Sequence, residues 1–332
     1  SGNGTTDISG NSTNGSGVIV DPNGSVNTMD NGTTNISGNS TNGNGTDING
    51  SVNTSGNGTT DISGNSTNGS GVIVDPNGSI NTTDNGTTNI SGDSANGSGV
   101  VDNGSINTSG NGTTDISGNS TNGSGVIVDP NGSVNTMDNG TTNISGNSTN
   151  GNGTDINGSV NTSGNGTTDI SGNSTNGTGV VVDPNGSINT TDIGTTNISG
   201  NSTNGDGTDI NGSVNTSGNG TTDISGNSTN GSGVIVDPNG SVNTTDNGTT
   251  NISGNSTNGN GTDINGSVNT SGNGTTDISG NSTNGSGVIV DPNGSINTTD
   301  NGTTNISGDS TNGSGVVDNG SINTSGNGTT DI

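Results

Sequence analysis

The chain has no cysteine, histidine, lysine, arginine or glutamate, and no phenylalanine, tyrosine or tryptophan among its 332 residues. Each absence excludes something. Without cysteine there is no disulfide framework, so redox compartment cannot be read from the sequence. Without lysine or arginine there is nothing to neutralise phosphate, which excludes a nucleic-acid-binding surface and electrostatic docking on anionic lipid. No apolar run approaches the ~20 residues of a membrane-spanning helix. Without histidine, cysteine, lysine, tyrosine or glutamate the usual bases, nucleophiles and metal-ligand clusters are missing, and the chain reads as a non-enzyme with no catalytic, cofactor-binding or metal residues. Hydrophobic residues make up only 17% of the chain, too few for an ordinary globular core of this length. All 28 acidic residues are aspartate, giving a net charge of -28.

What is present is a repeat. The octapeptide SGNGTTDI begins at Ser1 and returns at Ser55, Ser109, Ser163, Ser217, Ser271 and Ser325. The repeats therefore run 1–54, 55–108, 109–162, 163–216, 217–270 and 271–324, with a partial seventh at 325–332. A fixed period of this length signals a repeat architecture rather than a disordered polar chain. Each repeat divides again into residues 1–28 and 29–54, two versions of one motif that differ in length only where GVIVDP replaces GTDI. A length difference confined to one place marks a loop or corner.

Asn-Gly pairs punctuate both halves: Asn3-Gly4, Asn14-Gly15 and Asn23-Gly24, then Asn31-Gly32, Asn42-Gly43 and Asn49-Gly50. Asparagine and glycine tolerate the positive φ of tight turns. Between these corners lie TTDIS, VIV or TDI, and SVNT, short segments rich in β-branched residues that favour strands. Three strands and three corners per coil predict an all-β triangular parallel β-solenoid. It has about 12 coils of alternating 28 and 26 residues, stacked at the ~4.8 Å strand spacing, with handedness undetermined. A meander of two-residue hairpins is the competing arrangement, because Asn-Gly is also a hairpin signal. The fixed three-part rhythm of short segments favours the solenoid, read as one uncapped domain over 1–332.

Alternation within strands points Ile8, Val18, Val20 and Val26 inward in the first coil, and Ile36, Ile48 and Val52 in the second. Backbone ladders and stacked identical side chains, asparagine ladders included, must then supply much of the stability. The fourth position of GTTDI and GTTNI alternates along the chain: Asp7, Asn35, Asp61, Asn89, Asp115, Asn143 and onward. Stacking aspartate on every coil would hold like charges ~4.8 Å apart; alternation doubles that to ~9.6 Å, near a Debye length. The 54-residue period thus has an electrostatic reason.

Asn-X-Ser/Thr sequons are dense. Asn3, Asn11, Asn14, Asn23, Asn31, Asn35, Asn39, Asn44, Asn49 and Asn53 all qualify, as do their repeat equivalents. One reading is a glycoprotein surface with covalent glycans. The plainer one is that Asn-Gly builds the corner, Ser/Thr starts the next strand, and repetition inflates the count. Asp21-Pro22-Asn23-Gly24-Ser25 resembles the first half of a calcium loop, but no glutamate completes it, and a Pro-Asn-Gly turn accounts for it. Diffuse divalent-cation (calcium) binding between anionic chains is the expectation that remains.

In general design, near-identical repeats without catalytic chemistry resemble the β-solenoid stalks of extracellular fibres and microbial surface adhesins. That resemblance implies an extracellular or cell-surface structural filament whose partner is itself, end to end or laterally. Small polar side chains in ranks also resemble the flat, threonine-rich solenoids of insect antifreeze proteins. That implies ice binding, although Thr5, Asp7 and Ser9 put a charge in the middle of the rank. Repetition without visible caps leads to the expectation of a segment of a longer fibrous protein or a subunit that stacks end to end.

Overall fold

A computed structural model describes residues 3–332, and these fold entirely as strands and turns, with no helix among them. The chain is a parallel β-solenoid of about 12 coils in which three sheets form the faces. It divides into two compact units, Ser1–Asp169 and Ile170–Ile332, and each has the same internal construction.

In the N-terminal unit the first coil contributes β1 (Thr5–Ser12), β2 (Val18–Val20) and β3 (Ser25–Thr28). The second contributes β4 (Thr33–Ser40), β5 (Thr46–Ile48) and β6 (Ser51–Thr54). The third contributes β7 (Thr59–Ser66), β8 (Val72–Val74) and β9 (Ser79–Thr82). Every strand pairs in parallel with its equivalent one coil away, in register: Asp7 lies opposite Asn35, Ile8 opposite Ile36, and Val26 opposite Val52. The C-terminal unit repeats this, with Asn197 opposite Asp223 and Ile198 opposite Ile224. Among the described residues there is no hairpin pairing, because each corner turns the chain onto a new face instead of reversing it.

The first face is longer than the TTDIS segment suggests. β1 runs on through Gly10 and Asn11 to Ser12. Gly38, the Gly10 equivalent in β4, is needed at a close approach: a Cβ there would lie 2.6 Å from the carbonyl carbon of Gly45 and 2.7 Å from Thr46 Oγ1. Two stretches of backbone meet here across the narrow vertex of the coil, and no side chain fits between them.

The left-handed residue also differs from expectation. It is not the asparagine of Asn-Gly but the residue before it, and among the described residues at one corner only: Asp30, Asp84 and Asp138 (φ near 60°) alternate with Gly56, Gly110 and Gly164 (φ 65–68°). Aspartate is one of the few side chains that tolerates this region. A Cβ on Gly56 would come within 2.9 Å of the Asp30 backbone, so aspartate cannot occupy every coil. The glycine N–H instead donates to the aspartate of the next coil, Gly56 N to Asp84 Oδ2 at 3.2 Å and Gly110 N to Asp138 Oδ2 at 3.3 Å.

Inside, Val18, Val20, Ile36, Ile48 and Val52 are buried, while Ile8 and Val26 are half-buried in the first coil. The equivalents of those two in the third coil, Ile62 and Ile80, are fully buried, because coils pack on both sides of them. Threonine fills the rest of the interior. Thr142 Oγ1 donates to Thr108 Oγ1 at 3.1 Å, Thr108 to Thr114 at 2.7 Å, and Thr114 to Thr82 at 3.0 Å. The same alternation continues through Thr28 to Thr34, so each buried hydroxyl from Thr114 to Thr28 receives one hydrogen bond and gives one, and Thr34 at the end receives one. This one-dimensional hydroxyl chain solves the problem of a thin core: polar groups enter it, each paired with the next. Thr108→Val, which keeps the shape and deletes the hydroxyl, should strand the Thr142 donor and cost about 1–3 kcal/mol. Chemical denaturation or hydrogen exchange of the fourth and fifth coils would show it; an unchanged stability would mean that the hydroxyl chain contributes nothing.

Candidate functional surface

Three kinds of side-chain array cover the exterior. The first is the asparagine ladder. Asn39 Nδ2 donates to Asn11 Oδ1 and Asn65 to Asn39. Asn42 donates to Asn14, Asn53 to Asn27, and Asn57 to Asn31, all at 2.8–3.2 Å. Parallel in-register pairing puts each amide one coil above an identical one, the geometry of amide stacking in cross-β assemblies. The sequon asparagines Asn11, Asn14, Asn31, Asn39 and Asn53 therefore all sit in ladders.

The second array is the Asp/Asn alternation of the first face. Asn35 Nδ2 donates to Asp7 Oδ1 at 2.6 Å, Asn89 to Asp61 at 2.7 Å, and Asn143 to Asp115 at 2.5 Å. The amide does more than space the charges: it gives each carboxylate a donor, and hydrogen bonds to a charged acceptor are the stronger kind. Thr5, Asp7 and Ser9 all face outward on β1, so the outward ranks of this face are not pure threonine.

The third array runs along the second face and the corner after it, where the aspartates are more buried. Asp155 shows the satisfied arrangement: Ser124 Oγ donates to Oδ2 at 2.5 Å and Asn152 Nδ2 to Oδ1 at 2.7 Å. Asp263 repeats it with Ser232 and Asn260, although burial still raises its pKa above the usual carboxylate range. At Asp209 the donor amide is gone, because Asp206 stands where Asn152 and Asn260 stand in those coils. Asp209 Oδ1 is buried without a partner, and its carboxyl is pushed up to about 7 by burial and by the charges of Asp237, Asp206 and Asp183.

Asp102 is more extreme. It is only 1% exposed and occupies an inward position, opposite Val74 and Val128 of the adjacent coils. The N–H of Gly104 donates to Oδ1 at 3.1 Å, while Oδ2 has no partner. Burial, with a smaller contribution from Asp129, raises its pKa to about 7 against the opposing pull of the Gly104 and Ser133 N–H groups.

The remaining sequon asparagines divide sharply. Asn44 Oδ1 accepts from the N–H of Ser70 at 3.0 Å. Asn49 is half-buried with a partnerless Oδ1. Asn3 is exposed at the start of the described residues. Asn23 is exposed on the tip of the Asp21-Pro22-Asn23-Gly24 turn, which is closed by a 2.8 Å hydrogen bond from Gly24 N to Asp21 O. Proline at the second position and a non-left-handed asparagine at the third make this a type I turn, whose carbonyl is committed to closing the turn. Among the described residues no three acidic side chains are grouped so as to hold a metal ion.

No family model matches the chain, and no curated protein matches it. One similar solved structure is the crystal structure of a TibC-catalysed, hyper-glycosylated TibA fragment. It is 19% identical over 97% of each chain, with a TM-score of 0.26. A likeness that weak says nothing about what the present chain does.

Proposed function

We propose that this chain is a non-catalytic structural rod of an extracellular or cell-surface fibre, extended by stacking one coil on another. The carrying observation is the self-complementarity of the coil. Every coil offers the same ladder of backbone groups, amides and aliphatics to the coil before it and the coil after it, residue opposite equivalent residue. Each added coil therefore buries a further layer of aliphatic and threonine side chains at no cost in new recognition chemistry. Repeat proteins of this kind gain stability with length. The exterior carries aspartate and no cation. This suits a hydrated surface that resists unspecific sticking and gathers divalent cations such as calcium diffusely between neighbouring rods.

Electron microscopy of the purified chain across a concentration series, with native mass spectrometry, tests this reading. Filaments with a ~4.8 Å axial repeat are expected. A compact monodisperse particle at every concentration would overturn the filament.

A further inference from the structure

We propose that the chain carries one N-glycan site per 54-residue repeat, at the tip of each Asp-Pro-Asn-Gly-Ser turn: Asn23, Asn77 and Asn131 in the N-terminal unit, and Asn185, Asn239 and Asn293 in the C-terminal unit. This rests on the extracellular reading above and replaces a crowd of sequons with a single class.

The geometry separates that class from the other sequons on two independent counts. The first is spacing. A ladder asparagine has an identical neighbour on the adjacent coil, ~4.8 Å away, and a pyranose ring is wider than that. The Asp-Pro turn occurs only in the 28-residue coils, so consecutive tips within a unit are two coils, ~9.6 Å, apart. The corners above and below each tip belong to the shorter coils. In the N-terminal unit, Asn49 and Asn103 flank the Asn77 tip, and each turns a partnerless Oδ1 into the protein. In the C-terminal unit the flanking Asn211 spends its amide on Asp237 at 2.8 Å, and Asn265 on Asp291 at 2.9 Å.

The second count is hydrogen bonding. Asn35 and Asn89 share the two-coil spacing, but their amides donate to Asp7 and Asp61. The tip asparagines are exposed, and none has a side-chain hydrogen bond to lose. The two-residue Asp-Pro insertion causes this. It lifts the asparagine to the third position of a turn closed beneath it, by Gly78 N to Asp75 O at 2.7 Å in the third coil. The Oγ of the following serine, Ser79, is held on the third face by Ser51 Oγ at 3.2 Å, so the hydroxyl of the sequon is fixed beside the tip.

The chemistry is that of a diphosphate-activated oligosaccharide. The amide nitrogen of Asn77 bonds to the anomeric carbon and gives up one proton, which leaves with the diphosphate. The bond from that carbon to the diphosphate oxygen breaks, and the diphosphate leaves with the electron pair. The product keeps one N–H, and no ladder is broken.

The full chain should be secreted from a eukaryotic cell, and the protease-resistant, β-rich fraction digested with an Asp-specific protease, since trypsin has nowhere to cut. Intact glycopeptides are then sequenced. Sugar is expected on Asp-Pro-Asn-Gly-Ser peptides at ten or more times the occupancy of any ladder sequon. The chain with all six tips changed, N23Q, N77Q, N131Q, N185Q, N239Q and N293Q, should keep its circular dichroism and melting curve and fall back to the bare 31.4 kDa. Ladder sequons modified as heavily as the tips in that folded fraction, or a secreted wild-type chain at the bare mass, would overturn the proposal. Microscopy of the same samples reports filaments whether or not sugar is found, so this inference and the fibre reading can fail separately.

Discussion

Replacing Asp102 with isoleucine should stabilise the N-terminal unit by on the order of 4 kcal/mol at pH 8 and by far less near pH 4. The fourth coil reads Gly99-Val100-Val101-Asp102-Asn103-Gly104 where the second reads Gly45-Thr46-Asp47-Ile48-Asn49-Gly50, so Asp102 stands where Ile48 stands. Both are essentially without exposure, and isoleucine already fits this slot elsewhere in the stack. The Gly104 N–H serves Oδ1 alone and Oδ2 is left without a donor, which is why burial dominates the titration of this carboxyl.

The folded-state pKa of Asp102 is about 7 and its ordinary value is 3.8. Between those values the folded chain holds a proton that the unfolded chain has released. Stability therefore falls as pH rises through that window, by up to about 1.4 kcal/mol per pH unit, and is flat below and above it. The isoleucine variant lacks this loss. Asp209 titrates in the same window by the same cause, so some pH dependence should remain in the C-terminal unit. Hydrogen exchange at pH 5, 6 and 7 checks the prediction, read at the Asn103 and Asp129 amides, which donate to Val74 and Asp102 carbonyls on the adjacent coils. If opening free energies in the fourth coil vary no more with pH in the wild type than in the variant, the carboxyl is not buried as described.

The buried carboxyl marks the limit of what the sequence makes legible. Coil period, three faces and parallel stacking are legible because in-register pairing makes each face repeat itself. A 54-residue period in which Asp7 answers Asn35 requires equivalent residues to lie side by side. Asp102 is not legible on its face: an aspartate before Asn-Gly looks like a solvated corner, as Asp21 is. Only an alignment that sets Asp102 against Ile48 of the second coil and against Val74 and Val128 of its neighbours, rather than against Asp75 and Asp129 of the Asp-Pro turns, places it inward. The threonine chain is hidden for a different reason. Threonine is equally at home on either face of a strand, and the pairing of Thr28 with Thr34 spans a corner. The extra length of β1 is hidden because glycine in a strand reads as a break, whereas Gly10 is there for close approach. The difference among the sequons depends on which corner carries the Asp-Pro insertion and which asparagines the stack ties up. Local motif matching cannot see that.

Gly118→Ala should be among the most disruptive single methyl groups in the N-terminal unit, costing more than about 4 kcal/mol, in the range reserved for changes the core cannot absorb. The added Cβ would lie 2.6 Å from the carbonyl carbon of Gly125 and 3.0 Å from the backbone nitrogen of Val100. Both obstacles are backbone, and both are held: Val100 N donates to Gly125 O at 3.0 Å, one of the bonds that join the fourth coil to the fifth. No rotamer change relieves the clash, so the vertex must open, which separates the two ladders that meet there. Gly112→Ala is the control, since its Cβ would meet nothing closer than 3.1 Å, one contact being the movable Thr82 methyl, and it should cost about 1 kcal/mol or less. Thermal or denaturant unfolding of the two variants side by side measures the difference. Equal stabilities would mean that the coil vertex is wider than the backbone approach at Gly118 implies, and that the first face does not depend on glycine to turn. A large gap would explain why each eight-residue strand of the first face reads Ser-Gly at this point, even in a sequence that varies Asp with Asn and Val with Ile at neighbouring positions.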